Sequence, residues 1–407
     1  MRYLPKWTSL AAVAAITLAA ALGSPGLPAT PARAAAAEPL DPDVVAQAQA
    51  KLAWRLIESV APSGGNRIVS PASLASAFWV LSLGADGPMK SAILKALDLR
   101  AADAAHAEEV LASARDLLAK GAPSLLQSAD YVVFAPGDKP WKWTSDFLKR
   151  EGVENSVMDL SQAEAVKTLD GWVASKTGGL IPELIGKPLD RPAFVILNAL
   201  HFKARWKEPF DPAATSQAPF QDGERGADKV MLMKLPASTR AYRLEKGFVG
   251  VELPFSDERF ALVVVTSTDK PKLLKDFASV AGWLSASGFA PTQGDLALPR
   301  FSVEGGGDLA PALKNDLAPG LASPTALAGF GAGSKIQGVL QRAKIEANEE
   351  GAEAAAATAV IVGRSLTVDD KVVHMIVDKP FLFALRDRKS GLILAAGYVG
   401  KAPKAKG

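Results

Sequence analysis

This sequence of 407 residues contains no cysteine, three histidines and four tyrosines. Each shortage removes a class of function. Without cysteine there is no disulfide, no thiolate metal site and no cysteine nucleophile, so stability must come from a large core. The 48% hydrophobic content supplies one. The histidines are His106, His201 and His374, and none lies near a G-x-S-x-G elbow, which is absent; a hydrolase needs a nucleophile beside its base. Gly305-Gly306-Gly307 lacks the strand-to-helix setting of a phosphate loop. Asp369-Asp370 reads as solvated loop charge, so neither an enzyme nor a metal site or cofactor is expected. Net charge is also scarce. Of the formal +3, Arg2, Lys6 and Arg33 all precede the first acid, Glu38, leaving the rest balanced and without bulk attraction for nucleic acid. The apolar run Ser9–Leu22 is too short for a comfortable membrane span. With its basic start and the A-x-A site Ala32-Arg33-Ala34, it reads as an export signal over residues 1–34, with cleavage as late as 37, placing the product outside the cell or in a periplasm. No twin arginine precedes it.

What the sequence does have is one stretch with two conformational preferences. Glu349–Ser365 reads EEGAEAAAATAVIVGRS. The alanine run Ala354–Ala357 favours helix, the β-branched Thr358–Val362 favours strand, and Gly363-Arg364-Ser365 has turn character. At period 2 one parity holds Ala352, Ala354, Ala356, Thr358, Val360 and Val362, all small or apolar, while the other holds Gly351, Glu353, Ala355, Ala357, Ala359 and Ile361. As a strand the segment can bury its first face; as a loop it has little to pack against. It is a candidate two-state element.

The flanks carry a resemblance. Ile345–Gly351 is similar to the end of the serpin strand that leads into the reactive loop, and GAEAAAATAV resembles the serpin hinge. Asp378–Phe383 and Gly391–Gly397 resemble the family's C-terminal strands. Asn198, Phe202, Trp206, Phe210, Thr215 and Phe220 sit where the family signature puts them; core packing and strand satisfaction account for most, with Trp206 expected near the top of the sheet where insertion starts. Asn66–Ala85 looks like the strand and helix beneath the main sheet. There Ser70 before Pro71 reads as a helix cap, and Ser70 and Ser73 match serines of the region that opens. Leu169–Ile181 looks like the helix lying across that sheet, with Leu180 in place of the usual lysine. Asp130 stands where the family usually has asparagine. The alanine-rich helix Ala101–Lys120 carries more acids than bases, so no glycan site is transferred to it.

The resemblance spans residues 41–400 and implies a single α+β domain of the serpin fold: three β-sheets, eight or nine helices and an exposed reactive loop near 349–370. Residues 401–407 form a basic tail. It implies a suicide-type inhibitor of a trypsin-like serine protease, held in a covalent acyl complex. The hinge is Glu349, Glu350, Gly351, Ala352, Glu353, Ala354, Ala355, Ala356, Ala357 and Thr358. The sheet-opening region is Ser70, Ser73, Asn198, Trp206 and Arg300, the last pairing with Glu349. The reactive bond is read as Arg364–Ser365, because Ala359–Leu366 resembles the loop of antithrombin with one residue fewer and an exposed arginine suits an acidic specificity pocket. The commonest hinge length puts the cut at Ser365–Leu366 instead, which would recruit an elastase- or subtilisin-like protease. A non-inhibitory binding protein of the same fold predicts bulky or proline residues in the hinge, and there are none. A bacterial-style exported monomer with a liability to loop–sheet polymerisation completes the expectation.

Overall fold

The computed structural model describes residues 41–403, apart from 64, 99–103, 121–125, 137–141, 151, 190–193, 223–227, 331–335 and 353–371. The export signal, the end of the basic tail and the reactive bond therefore lie outside the described residues. Seven α-helices are present among them: α1 (Pro42–Ser59), α2 (Pro71–Gly84), α3 (Gly87–Ala96), α4 (Ala104–Lys120), α5 (Lys142–Arg150), α6 (Ala163–Lys176) and α7 (Ala310–Leu321). The 3₁₀ segment Leu274–Ser285 makes an eighth rod, within the expected eight or nine. No described helix is long and apolar enough to cross a membrane. The strands are β1 (Asn66–Val69), β2 (Leu126–Phe134), β3 (Glu154–Val157), β4 (Phe194–Phe202), β5 (Ala204–Arg205), β6 (Ser216–Pro219), β7 (Lys229–Glu245) and β8 (Phe248–Pro254). They continue with β9 (Phe260–Ser267), β10 (Ala290–Pro299), β11 (Phe301–Asp308), β12 (Ile336–Ala347), β13 (Gly351–Ala352), β14 (Val373–Ile376), β15 (Phe381–Asp387) and β16 (Ile393–Val399).

Helix starts follow the local chemistry. The Asp41 carboxylate accepts from the Asp43 amide at 2.9 Å with Pro42 in the first turn, and Ser70 Oγ accepts from the Ser73 amide at 3.1 Å ahead of α2. Helix α1 buries Val45, Leu52 and Leu56, the stripe its periodicity predicts.

The strands form a five-stranded sheet ordered β11-β12-β4-β2-β3, a nine-stranded sheet ordered β1-β16-β15-β9-β8-β7-β10-β14 with β6 beside β7, and a two-stranded ribbon, β13-β5. The expected α+β architecture holds, but its three sheets are unequal, of nine, five and two strands. The reason is β7: 17 residues long, it pairs with β6 over Lys229–Leu232, with β10 from Leu232 to Tyr242 and with β8 over Ala241–Glu245, fusing two expected sheets. Alternation along the five-stranded sheet divides its faces. Val195, Leu197 and Ala199 of β4 and Tyr131 and Val133 of β2 join Leu169 and Val173 of α6 in a small core, while Ile196, Leu200 and Val132 join the main core. Helix α6 therefore covers the outer face, as the resemblance implied.

Candidate functional site: the hinge and the sheet seam

The five-stranded sheet has a seam at its centre. Strands β12 and β4 pair directly and in parallel, Val339 opposite Ile196 through Lys344 opposite His201. On its core-facing side the register sets Gln341 beside Asn198, both buried, where alternation would otherwise place apolar side chains. Each is held by a partner other than its neighbour across the seam. Gln341 holds the start of α2 reciprocally, its Oε1 accepting from the Ser70 amide at 2.6 Å and its Nε2 donating to the Ser70 carbonyl at 2.8 Å. Asn198 Nδ2 donates to Asp130 Oδ1 at 2.6 Å, and Ser76 of α2 donates to Asp130 Oδ2 at 3.1 Å. Asn198 Oδ1 is buried and accepts no hydrogen bond among the described residues. Burial pushes the Asp130 carboxyl up; the Asn198 hydrogen bond, the Arg115 charge and the Ser76 hydroxyl pull against it without prevailing.

At the end of β12 the chain turns outward and is held there. The Asn348 side-chain oxygen accepts from the amides of Glu350 at 3.1 Å and Gly351 at 3.2 Å, while the Asn348 amide donates to the Gly351 carbonyl at 2.9 Å. Three donors from the segment after β5 grip this turn: Trp206 Nε1 to the Asn348 carbonyl, the Trp206 amide to the Glu350 carbonyl and the Phe210 amide to the Glu349 carbonyl, each at 2.8 Å. The Trp206 indole is buried and stacked on Phe255, with centroids 4.6 Å apart and planes at 11°. The turn then enters the β13–β5 ribbon, Gly351 opposite Arg205. Only glycine fits there, since a Cβ would run into the Ala204 carbonyl oxygen.

Glu349 is the charged centre of this clamp. Arg300 Nε donates to both of its carboxylate oxygens at 2.8 Å, Arg300 Nη2 lies 2.7 Å from Oε1, and the Thr215 hydroxyl donates to Oε1 at 2.6 Å. Burial alone would raise the Glu349 carboxyl, but the hydrogen bonds from Arg300 and Thr215 outweigh it and hold the group below its ordinary range.

The structure thus brings Trp206, Arg300, Glu349, Glu350 and Gly351 together, and places Ser70 and Asn198 beneath the seam. The Ser70 hydroxyl caps α2, as its place before Pro71 predicts, and its backbone meets Gln341 of the sheet. Ser73 stays within its helix, donating its amide to Ser70 Oγ and accepting the Ser70 hydroxyl at 2.7 Å. Thr215, one of the signature residues, contacts the Glu349 carboxylate. Ala352 is placed by its backbone in β13. Glu353, Ala354, Ala355, Ala356, Ala357, Thr358, Arg364 and Ser365 lie outside the described residues. Sequence reasoning missed Gln341, Asn348 and Ser76. Gln341 was findable, because it interrupts the apolar parity Val339, Ala343, Ile345, Ala347 of a buried strand.

Comparison with known proteins fits this geometry. The family described as Serpin (serine protease inhibitor) matches residues 47–401. The chain is 30% identical to the leukocyte elastase inhibitor of Sus scrofa over 357 residues, covering 82% of this chain and 92% of that protein. Serpin48 of the insect Tenebrio molitor is similar with a TM-score of 0.73 at 24% identity, covering 88% of this chain and 97% of the other. Human thyroxine-binding globulin, solved with its hormone, reaches 0.75 at 21% identity, covering 89% and 100%. These two likenesses concern the fold alone.

Proposed function

The chain belongs to the serpin family, and we propose that it is a suicide-type inhibitor of trypsin-like serine proteases, cut at Arg364–Ser365 and then inserting the segment 350–362 between β4 and β12. The observation that supports this best is the seam itself: a closed parallel pair directly continuous with a hinge clamped outside it. A chain that turns back after β12 runs antiparallel to β12 and, because the pair is parallel, to β4 as well. It exchanges one parallel ladder for two antiparallel ones, with small side chains at every second position.

In this reading the protease serine attacks the Arg364 carbonyl carbon, the bond to the Ser365 nitrogen breaks, that nitrogen leaves as an amine, and an acyl ester joins the two proteins. Release of the clamp at Asn348–Gly351 lets the hinge insert and carries the ester away before water reaches it. The uncut protein is then kinetically trapped above its most stable state. A seam that accepts its own hinge also accepts another copy's, which is the source of the polymerisation liability. Export by residues 1–34 belongs to the same proposal and rests on the N-terminal charges and cleavage site. The likeness of the loop to antithrombin and the bacterial-style assignment rest on sequence; the relatives compared come from animals.

A second reading places the cut at Ser365–Leu366, with an elastase- or subtilisin-like target. It is favoured by the hinge count and by the name of the pig relative. Incubation with trypsin and, separately, with elastase, followed by a denaturing gel and N-terminal sequencing of the released fragment, separates the readings. A trypsin complex with a fragment beginning at Ser365 is expected. A fragment beginning at Leu366 moves the bond, and nicking without any lasting complex favours a binding protein.

A further inference from the structure

The outer face of the seam changes character towards the hinge. In the small core beneath α6, Leu340 of β12 stands opposite Leu197 of β4 in an apolar contact. Alternate residues share a face, so the next two pairs on this side are Arg342 with Ala199 and Lys344 with His201. The last pair is buried: His201 is 6% exposed and the Lys344 side chain 9%. Neighbouring strands lie about 4.8 Å apart, which sets these two side chains next to each other across the seam. Lys344 has its counter-ion on its own strand. Its Nζ lies 2.8 Å from Glu346 Oε1, the oxygen that also accepts the Ser302 hydroxyl of β11 at 3.3 Å. Around the pair, Arg342 donates to the Glu183 carbonyl at 3.2 Å and lies 3.9 Å from Glu304, and Lys203 beyond β4 is exposed. Gln127 of β2, the other neighbour of His201, is uncharged, and the Asp170 carboxylate of α6 accepts from the amides of Leu184, Ile185 and Gly186.

A neutral imidazole is a tolerable neighbour for a buried ammonium, and an imidazolium is not. While the seam is closed, burial and the adjacent like charge both oppose protonation of His201. Parting β4 from β12 takes Lys344 away with its own counter-ion and gives His201 to solvent. Protons therefore bind the parted seam better than the closed one. The contribution of this pair to the closed seam is complete above the histidine range and is lost as pH falls through it.

We propose that His201 beside Lys344 makes the seam acid-sensitive: protonation of His201 sets two buried cations across the β4–β12 contact and favours its parting at the end nearest the hinge. The acid response stands on this geometry alone; its effect on strand uptake rests on the loop-insertion reading given above.

The test uses the full chain at pH 7.5 and 5.5. A solvated histidine titrates near 6.5, so complete exclusion of the proton from the closed seam corresponds to about a tenfold response over that interval. Amide exchange followed by mass spectrometry, corrected for intrinsic rates, reads the protection of β4 and β12 against that of β9 and β15. On acidification this ratio should fall at least threefold further in the unmodified chain than in His201→Gln, which cannot titrate. Comparing the two isolates His201 from Asp130, whose burial works in the opposite direction. Lys344→Gln keeps the histidine and removes the neighbouring cation, and should at least halve the response. Equal falls in the unmodified chain and His201→Gln overturn the proposal, and a full response in Lys344→Gln overturns the pairing. For the functional half, uptake of a labelled peptide of residues 351–362 is followed by gel filtration. It should be at least twofold faster at pH 5.5 in the unmodified chain, and less so in His201→Gln. An acid response in exchange without faster uptake overturns the coupling. A chain that takes up no peptide at either pH fails the loop-insertion reading, and the exchange result still decides the seam.

Discussion

Two strand pairs in this molecule are built on different terms. In the nine-stranded sheet β9 and β15 pair antiparallel, every position of both strands is buried, and the contact between them is made largely of valine, leucine, phenylalanine and alanine. In the five-stranded sheet β4 and β12 pair in parallel, and Asn198 and Gln341 sit side by side in the contact. An apolar antiparallel pair has no second arrangement of comparable energy, since parting it exposes hydrocarbon and bares ladder groups at once. The seam differs because each of its polar side chains holds a partner other than its neighbour across the seam, Gln341 the Ser70 backbone and Asn198 the Asp130 carboxylate. Neither of those side-chain contacts runs directly between β4 and β12, so the backbone ladder is what joins the two strands. On the proposed function, the comparison separates the strands that hold the molecule together from the strands that must part.

The largest effect tests the permanent pair. Leu385→Ala in β15 removes a fully buried side chain and should destabilise the fold by about 2–5 kcal/mol. It should lower the denaturant midpoint while the folded fraction inhibits with unchanged stoichiometry; a changed stoichiometry would erase the distinction between the two pairs. Next comes Gln341→Ala, which leaves the buried amide of Ser70 without its partner, at about 1–3 kcal/mol, while the Ser70 carbonyl keeps the Leu74 amide. Inhibitory activity should decay faster on warming than in the unmodified protein, and an equal half-life would show that the seam does not govern the trap.

The smallest effect concerns pH. Because burial raises the Asp130 carboxyl above its unfolded value, the native state holds that proton longer than the unfolded chain does. This group therefore favours the fold below its unfolded pKa of about 4, and its contribution is lost as pH rises from there through the folded value. Asp130→Asn should remove that slope, so the difference in thermal midpoint between variant and parent should grow in favour of the variant as pH rises from acid to neutral. A difference independent of pH would mean that Asp130 is not the buried acid the geometry makes it.

How legible this was in the sequence depends on the kind of signal. The fold could be read because long motifs carry it: Asn198 to Phe220, the hinge, and the C-terminal strands each combine period-2 burial with turn residues at fixed offsets. The Arg300–Glu349 pair could be named, although nothing local to either residue reveals it. Sheet partition could not be read, because nothing in Lys229–Glu245 says that one strand serves two sheets. Asp130 looked like a weakened match and proves to be the acceptor joining Asn198 to Ser76. Thr215 and Asn348 act through hydrogen bonds to a turn whose position only the tertiary structure fixes. Polar residues on apolar faces were the available clue, and Gln341 shows that it could have been used.

The central claim is that the hinge enters the seam with one parity facing inward, and a pair of variants tests it directly. Ala354→Arg sets a long cation on the face that must be buried, where an unpaired charge costs several kcal/mol; Ala355→Arg sets the same cation on the opposite face. Both leave Arg364 to be recognised and cut. The quantity to measure is moles of inhibitor consumed per mole of protease inactivated. The account predicts a large rise for Ala354→Arg, which should be turned over as a substrate, and a small one for Ala355→Arg. Equal values near that of the unmodified protein would contradict it.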